Sequence, residues 1–448
     1  MGIFSQRGIK VRHNKNTSGL KAVRIDHCDW VTLPMKQHIG APCVPCVKPG
    51  DHVLAGQLVG TAQAPVSAPV HASISGTVQK PETIRLPSGE DVQAVVIKSD
   101  GEMKHIETSP PQVHSLEDFL MAARDSGLVG LGGAGFPAHI KLRGAAGKAD
   151  ILLVNAAECE PYITTDHRES LDNGTDIIDG IRHICKWLKI KEAVIGIEDN
   201  KPDAIAFLRD LCAQNVSSGL ALRVGVLPSR YPQGAEKMFI HSLTKRVVPL
   251  GKLPTDVGVL SMNVGSVAFL GRYMRGGMPL ISRTVTVDGG AVTHPMNVRV
   301  PIGIKLEELC AYCGVDNVSS GAVSKIILGG PMMGPATPDL NTMISKCNNS
   351  ILLFDKEQAK LKRETACIRC GCCLFACPMK LQPFRLAQAY DARDAGALKD
   401  LYTDACMECG SCSYVCPAGR ELVQSIRMGK RVLSQAEQLA KEREAAKS

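Results

Sequence analysis

Aromatic residues are scarce: Phe, Trp and Tyr make up 4% of the 448 residues, and only two are Trp. Nowhere do about 18 apolar residues follow one another, the length a helix needs to span a bilayer. The opening Met1-Gly2-Ile3-Phe4-Ser5-Gln6-Arg7 starts no apolar run, so no secretory signal peptide is expected. The formal charge of +8 is modest and dispersed, which makes no case for nucleic acid as a partner. Acids are missing from residues 1–25, which carry six Lys or Arg, while the tail from Arg420 carries seven Lys or Arg against four Glu. A solvated surface is the simpler reading of each end, and docking to an acidic partner or an anionic leaflet is the other.

What the chain has in quantity is cysteine, eighteen in all. Cys367, Cys370, Cys373 and Cys377 follow the spacing C-x2-C-x2-C-x3-C-P, and Cys406, Cys409, Cys412 and Cys416 repeat it. Two-residue gaps let a chain wrap three thiolates around one corner of an iron–sulfur cube, and the fourth cysteine of such a run ligates the other cluster. The spacing therefore assigns Cys367, Cys370, Cys373 and Cys416 to one 4Fe–4S cluster and Cys406, Cys409, Cys412 and Cys377 to a second. A zinc ribbon does not need two runs ending in Cys-Pro, and a disulfide framework suits a small secreted chain. Cys372, a fifth thiol in the first run, reads as a bystander. Cysteine in this number points to a reducing cytoplasm, with residues such as Cys185 and Cys212 in the core.

The length exceeds what one core holds and by itself suggests about three domains. Residues 1–110 read as short strands between glycine turns, as in a small flattened barrel. The segments 49–60 and 68–78 resemble biotinyl- and lipoyl-carrier domains, but the turn His71-Ala72-Ser73-Ile74 has no lysine to modify, so this domain reads as scaffold. Cys43-Val44-Pro45-Cys46 is a C-x-x-C that could bind metal with Cys28 or a histidine; reduced thiols are the favoured reading.

A linker follows at Pro110-Pro111, then a helix from Ser115 capped with Asp118. Residues 130–141 read Gly-Leu-Gly-Gly-Ala-Gly-Phe-Pro-Ala-His-Ile-Lys. Small residues at Gly132, Gly133 and Gly135 let backbone approach a ligand and offer N–H groups to a phosphate. The buried strand read from Asp150-Ile151-Leu152-Leu153-Val154-Asn155 ends in Asn155-Ala156-Ala157-Glu158-Cys159-Glu160-Pro161. Polar residues at the carboxyl end of a strand, beside a glycine loop, mark where an α/β sheet binds nucleotides. Strands at 193–197 and 221–227 flank a helix at 202–212, an alternation that argues a parallel sheet covered on both faces.

These motifs resemble the NADH-oxidising flavoprotein subunit of respiratory complex I. That family has a Gly-x-Gly-Gly-Ala-Gly-Phe-Pro-x-x-x-Lys loop and an Asn-Ala-x-Glu-x-Glu-Pro segment followed by Asp and Arg, here Asp166 and Arg168. Tyr231-Pro232-Gln233-Gly234-Ala235-Glu236-Lys237 and Met262-Asn263-Val264-Gly265-Ser266 resemble two further segments of it. A carrier-like barrel joined to two ferredoxin runs is, in addition, similar to the RnfC family of Rnf electron transport complexes, the ferredoxin:NAD+ oxidoreductases of bacterial membranes. The resemblance covers nearly the whole chain.

The resemblance implies that Gly132, Gly133, Gly135, Lys141, Asn155, Gly234 and Asn263 line an FMN site. Lys141 would offset phosphate charge and Asn155 would bond the isoalloxazine edge. Phe136 would stack near the adenine of NAD(H), and Glu158 and Glu160 would bond the nicotinamide side or ribose. Leu131 stands where the relative has Arg, Ala157 replaces an acid, and Ala235 replaces the first Glu of a pair.

Residues 282–334 read strand, strand, helix, strand, which fits a β-grasp module, with Met332 and Met333 packing at a domain interface. Residues 350–365 read as charged and helical, 383–402 as a helix between the cysteine runs, and 421–447 as an amphipathic Lys/Glu-rich helix. The expected organisation is multidomain α/β: a barrel-sandwich domain at 1–110, a Rossmann-like FMN/NAD-binding domain at 111–265, a β-grasp SLBB-type domain at 266–345, and a helical ferredoxin-like domain with two 4Fe–4S clusters at 350–448. The resemblance implies a peripheral subunit on the cytoplasmic face of the cell membrane, working with other Rnf subunits and, through them, ferredoxin. Two other readings stand beside it: the diaphorase subunit of a soluble NAD-linked hydrogenase or formate dehydrogenase, and an electron wire with a vestigial nucleotide site.

The cysteine spacing predicts about eight iron and eight acid-labile sulfides per chain after anaerobic reconstitution. Cys370→Ala and Cys409→Ala should each remove one cluster's signal. A preparation holding zinc on the thiolates and no labile sulfide would contradict it.

Overall fold

A computed structural model describes residues 8–25, 27–215, 219–315 and 321–445. Arg7 in the basic N-terminal stretch and Lys447 at the end of the expected tail helix lie outside them.

Short β-rich segments with glycine at their corners form a two-sheet sandwich in the first hundred residues. One sheet orders Trp30–Pro34, Asp91–Ser99, Gly76–Val78 and His52–Val53; the other orders Val44–Pro45, Leu58–Thr61 and Val70–His71. In the turn where a carrier domain would be modified, Ser73 is buried and its hydroxyl donates to the Ile302 carbonyl at 2.5 Å. The turn is thus a packing surface against the β-grasp unit, in keeping with a scaffold.

The basic N-terminal segment differs from its simpler reading as solvated surface. Ile9 and Tyr231 exchange both backbone hydrogen bonds, at 2.8 and 2.9 Å. Lys15 points inward and donates to the carbonyls of Glu158 and Glu160 at 2.8 Å each and Ile163 at 2.5 Å. Val23–Arg24 then adds a parallel edge to the β-grasp sheet beside Val298 and Arg299. A lysine with three carbonyl acceptors keeps its donors satisfied without water, which is how a cation can be drawn in.

The central domain holds a four-stranded parallel sheet in the order Ala221–Leu227, Glu192–Glu198, Ile151–Ala156, Val259–Asn263. The first three strands step outward in chain order, and the fourth returns to the opposite side of the first. The strand order therefore reverses between Ile151–Ala156 and Val259–Asn263, and the crevice beyond such a reversal is where open α/β sheets take ligands. Register pairs Asn155 with Asn263 across it.

Helix Val264–Gly276, most of which falls in the span expected for the β-grasp domain, packs on Gly174–Leu188 of the nucleotide domain. Glycines allow the close approach: a Cβ at Gly271 would lie 2.2 Å from the Asp176 carbonyl, and one at Gly180 2.0 Å from that of Val267.

The β-grasp unit has the expected strands Ser282–Asp288 and Met296–Pro301, helix Leu306–Tyr312 and strand Lys325–Leu328. Residues 350–365 correct the sequence reading, because Ser350–Phe354 is a fully buried strand and no helix follows before the cysteines. Its apolar Ile-Leu-Leu-Phe run fills the sheet between Ser282–Asp288 and Lys325–Leu328, so burial on both faces outweighs the charged residues after it. The single helix expected at 383–402 is two, Pro383–Asp391 and Ala395–Asp400. Asp394 starts the second by accepting the Ala397 N–H at 2.9 Å. The tail forms one helix, Leu422–Ala445.

Candidate nucleotide and cluster sites

The glycine loop is held from behind and open in front. Gly130 N–H donates to the Phe136 carbonyl at 2.8 Å, Gly135 N–H returns to Gly130 at 3.2 Å, and Leu131 N–H is anchored on the Ser266 hydroxyl at 2.9 Å. Gly132, Gly133 and Ala134 are exposed at its tip. Among the described residues, none of their three N–H groups has an acceptor. Gly133 sits at φ +118°, and a Cβ there would meet no atom within 4 Å, so its bare face opens outward. Gly135 has the opposite reason to be glycine: a Cβ would lie 2.5 Å from the Cys347 sulfur. Unpaired amides on a fixed, exposed turn suit the phosphate of a flavin nucleotide.

The two asparagines at the strand ends do different work. Asn155 donates to the Gly234 carbonyl at 2.9 Å and accepts the Ala157 N–H at 3.0 Å, tying the two segments together. Gly234 must be bare, since a Cβ would stand 2.3 Å from the Ala157 carbonyl. Asn263 caps helix Val264–Gly276 by accepting from Gly265 and Ser266, and its amide donates to Asp166 at 2.7 Å. Burial, and after it the negative charge of the neighbouring Glu158, hold the Asp166 carboxyl above the usual carboxylate range. Lys141 projects from helix Ala138–Ala145 and pairs with Glu236 at 2.6 Å on a partly exposed surface. Phe136 is half-buried beside the loop.

Glu158 and Glu160 do not wait for a nucleotide. Glu158 is buried, and its carboxylate accepts from Asp166 N–H at 2.8 Å and Thr165 hydroxyl at 3.2 Å, capping helix Thr165–Asp172. Glu160 accepts the Met332 N–H at 3.1 Å, and its other oxygen lies 3.2 Å from the Tyr231 hydroxyl. Without a nucleotide, each carboxylate is thus already tied to neighbouring backbone and hydroxyl groups.

The cysteines form two groups. Cys367, Cys370, Cys373 and Cys416 line one cleft of about 410 Å³, together with Cys372. Cys377, Cys406, Cys409 and Cys412 line the other. Each Cys-Pro end thus stands with the three thiols of the opposite run. Among the described residues, no three metal-ligating side chains meet at a single-ion position. In the second group, burial pushes Cys406 up to about 11 and Cys412 up to about 12, and neighbouring thiols add to both. Thiols gathered this way become thiolates only with positive charge among them, which iron supplies. The first group is more open, with Cys367 and Cys370 exposed.

The second group also touches the nucleotide domain. Tyr231 is 1% exposed, and its hydroxyl donates to the Cys409 carbonyl at 2.7 Å. A Cβ at Gly410 would come within 2.8 Å of the Met332 carbonyl, which keeps this loop pressed on the β-grasp unit. Ile9, Tyr231, Ala376 and Cys409 form one buried cluster with Met332 at its edge. Met332 therefore packs at a domain interface, as read from the sequence. Sequence reasoning missed the contacts of Tyr231 and Lys15, whose partners lie far away in the chain.

Fold and site define a flavoprotein-type nucleotide domain joined to a two-cluster iron–sulfur module. Residues 123–272 match the Nuo51 FMN-binding domain, 4–102 the RnfC barrel sandwich hybrid domain, 284–336 the SLBB domain and 364–420 the 4Fe-4S dicluster domain. The chain is 41% identical over 382 residues to the C subunit of the proton-translocating ferredoxin:NAD(+) oxidoreductase complex of Clostridium ljungdahlii, covering 84% of this chain and 80% of that one. It is 41% identical over 366 residues to the Na(+)-translocating counterpart of Acetobacterium woodii, covering 80% and 81%. An air-oxidised NAD+-reducing [NiFe]-hydrogenase shares the fold, with a TM-score of 0.51, 19% identity, and coverage of 71% of this chain and 64% of that one. The chain belongs to the RnfC family, the C subunits of ion-translocating ferredoxin:NAD+ oxidoreductase (Rnf) complexes.

Burial raises Glu160 to about 7 from its ordinary 4.5. The folded chain therefore keeps a proton there that the unfolded chain has released. That contribution to stability is complete below about 4.5 and is lost as pH rises through about 7. Between about pH 5 and pH 7.5 the wild-type thermal midpoint should fall about 2–4 °C relative to Glu160→Gln. Parallel pH profiles for the wild type and the variant would show instead that Glu160 is ionised throughout.

Proposed function

We propose that the chain is the peripheral NAD(H)-handling subunit of a membrane-bound, ion-translocating ferredoxin:NAD+ oxidoreductase. It would carry electrons between NAD(H), FMN and two 4Fe–4S clusters. One observation carries this reading: an open glycine loop at the reversal point of a parallel sheet shares a chain with two crossed sets of four thiols. When bound, FMN exchanges a hydride with nicotinamide and single electrons with iron–sulfur clusters.

The chain's own residues bind, orient and insulate. Gly132, Gly133 and Ala134 N–H groups take the phosphate, with Lys141 adding charge once it swings from Glu236. Asn155 and Gly234 fix the strand end, and Asn263 presents its side chain across the crevice. Phe136 offers a flat face for adenine. Glu158 and Glu160 hold the segment between Asn155 and Pro161 in place. Cys367, Cys370, Cys373 and Cys416 ligate one cluster, and Cys377, Cys406, Cys409 and Cys412 the other. No general acid or base is required of the protein.

No helix among the described residues is long and apolar enough to cross a membrane. We place the chain on the cytoplasmic face of the cell membrane, held by other subunits of the complex, with ferredoxin reached through them.

Apo-protein titrated with FMN by fluorescence quenching tests the reading. The wild-type chain should bind FMN and then oxidise NADH with an artificial acceptor. Gly133→Val should lose both, because a side chain there enters the space in front of the amides, while both clusters still form. Each lost amide–phosphate contact costs about 1–3 kcal/mol. A wild-type chain that binds no FMN would favour the electron wire, and one that purifies with soluble hydrogenase partners would favour the diaphorase.

A further inference from the structure

Behind the glycine loop stands a buried cation that no motif announced. Arg283 lies on strand Ser282–Asp288 of the β-grasp unit and is 8% exposed. Its guanidinium donates to the Lys346 carbonyl and to the Leu131 carbonyl, both at 2.6 Å, and its Nε finds no acceptor. Among the described residues its acceptors are two carbonyls, and none is a carboxylate. The nearby acids are committed elsewhere: Glu169 pairs with Arg272 at 2.6 Å, and Asp166 accepts from Asn263 at 2.7 Å. A full positive charge taken from water against two neutral carbonyls is poorly compensated.

The placement explains the expense. Leu131 C=O and Gly132 N–H belong to the same peptide unit, so a guanidinium on the oxygen polarises the N–H on the other side. That N–H is the first of the three unpaired amides at the loop tip. The loop itself, residues 130–137, has no basic side chain.

We propose that Arg283 is the buried counter-charge of the phosphate site: it acts through the Leu131–Gly132 peptide to make the glycine loop bind a phosphate monoester. The β-grasp unit thus supplies the charge that the loop lacks. Resting on the flavin reading above, this deepens it by naming the part of the ligand that is recognised and the domain that recognises it.

The test compares FMN with riboflavin, which has the same ring system and no phosphate, on the full-length apo-chain by fluorescence quenching. The wild type should prefer FMN. Arg283→Gln should weaken FMN about tenfold, the scale of one lost charge-assisted contact, and leave riboflavin within about twofold. Arg283→Lys keeps the charge and should keep most of the preference. The proposal is overturned if FMN and riboflavin weaken together in Arg283→Gln, which would mark a purely structural role. It is equally overturned if the ratio of the two affinities stays at the wild-type value, or if the lysine variant loses the preference as completely as the glutamine variant. A wild-type chain that binds neither flavin overturns the flavin reading itself, and this inference with it.

Discussion

Tyr231 is buried where three parts of the chain meet, and its hydroxyl has one hydrogen to give. The Cys409 carbonyl can only accept, and it takes that hydrogen at 2.7 Å. Glu160, at 3.2 Å on the other side, is then satisfied best when it carries a proton of its own to donate to the phenol oxygen. Its second oxygen accepts from Met332 on the β-grasp unit. The cysteine loop, the nucleotide domain and the β-grasp unit are thereby joined through two side chains. Removing either leaves buried polar groups without partners, which is costlier than never having built the contact.

This junction sets how the two chemistries are arranged. The segment that runs from Asn155 at the sheet's reversal point reaches Glu160 five residues later, so the nucleotide crevice and the Cys409 loop lie along one short stretch of chain. Lys15 holds that stretch from the outside through the carbonyls of Glu158 and Glu160. The other thiol group, with Cys367 and Cys370 exposed, turns toward the surface.

Much of this was legible in the sequence where the determinant is local. Cysteine spacing specifies a cluster fold because the ligands are covalently close, and even the crossing of Cys377 and Cys416 follows from it. The glycine loop and the strand ending at Asn155 were readable for the same reason. Where reading fell short, the deciding partner was distant. Ser350–Phe354 looked like the start of a charged helix until two neighbouring strands buried it. The helix that Glu158 caps and the hydroxyl beside Glu160 are reached only in three dimensions. Arg283 sits in an ordinary alternating strand, and nothing in Arg-Thr-Val-Thr-Val tells that its guanidinium ends under a glycine loop more than 150 positions earlier.

The measurement closest to the central claim is anaerobic redox-EPR on the full chain with Tyr231→Phe, which deletes the hydroxyl and keeps the ring. The signal that Cys409→Ala abolishes should change line shape and shift to lower potential, because a donor that favoured the more negative reduced state is gone. The signal that Cys370→Ala abolishes should stay as in the wild type. Two unshifted signals, or a shift in the Cys370 signal alone, would contradict the junction as the link between the nucleotide domain and the second cluster.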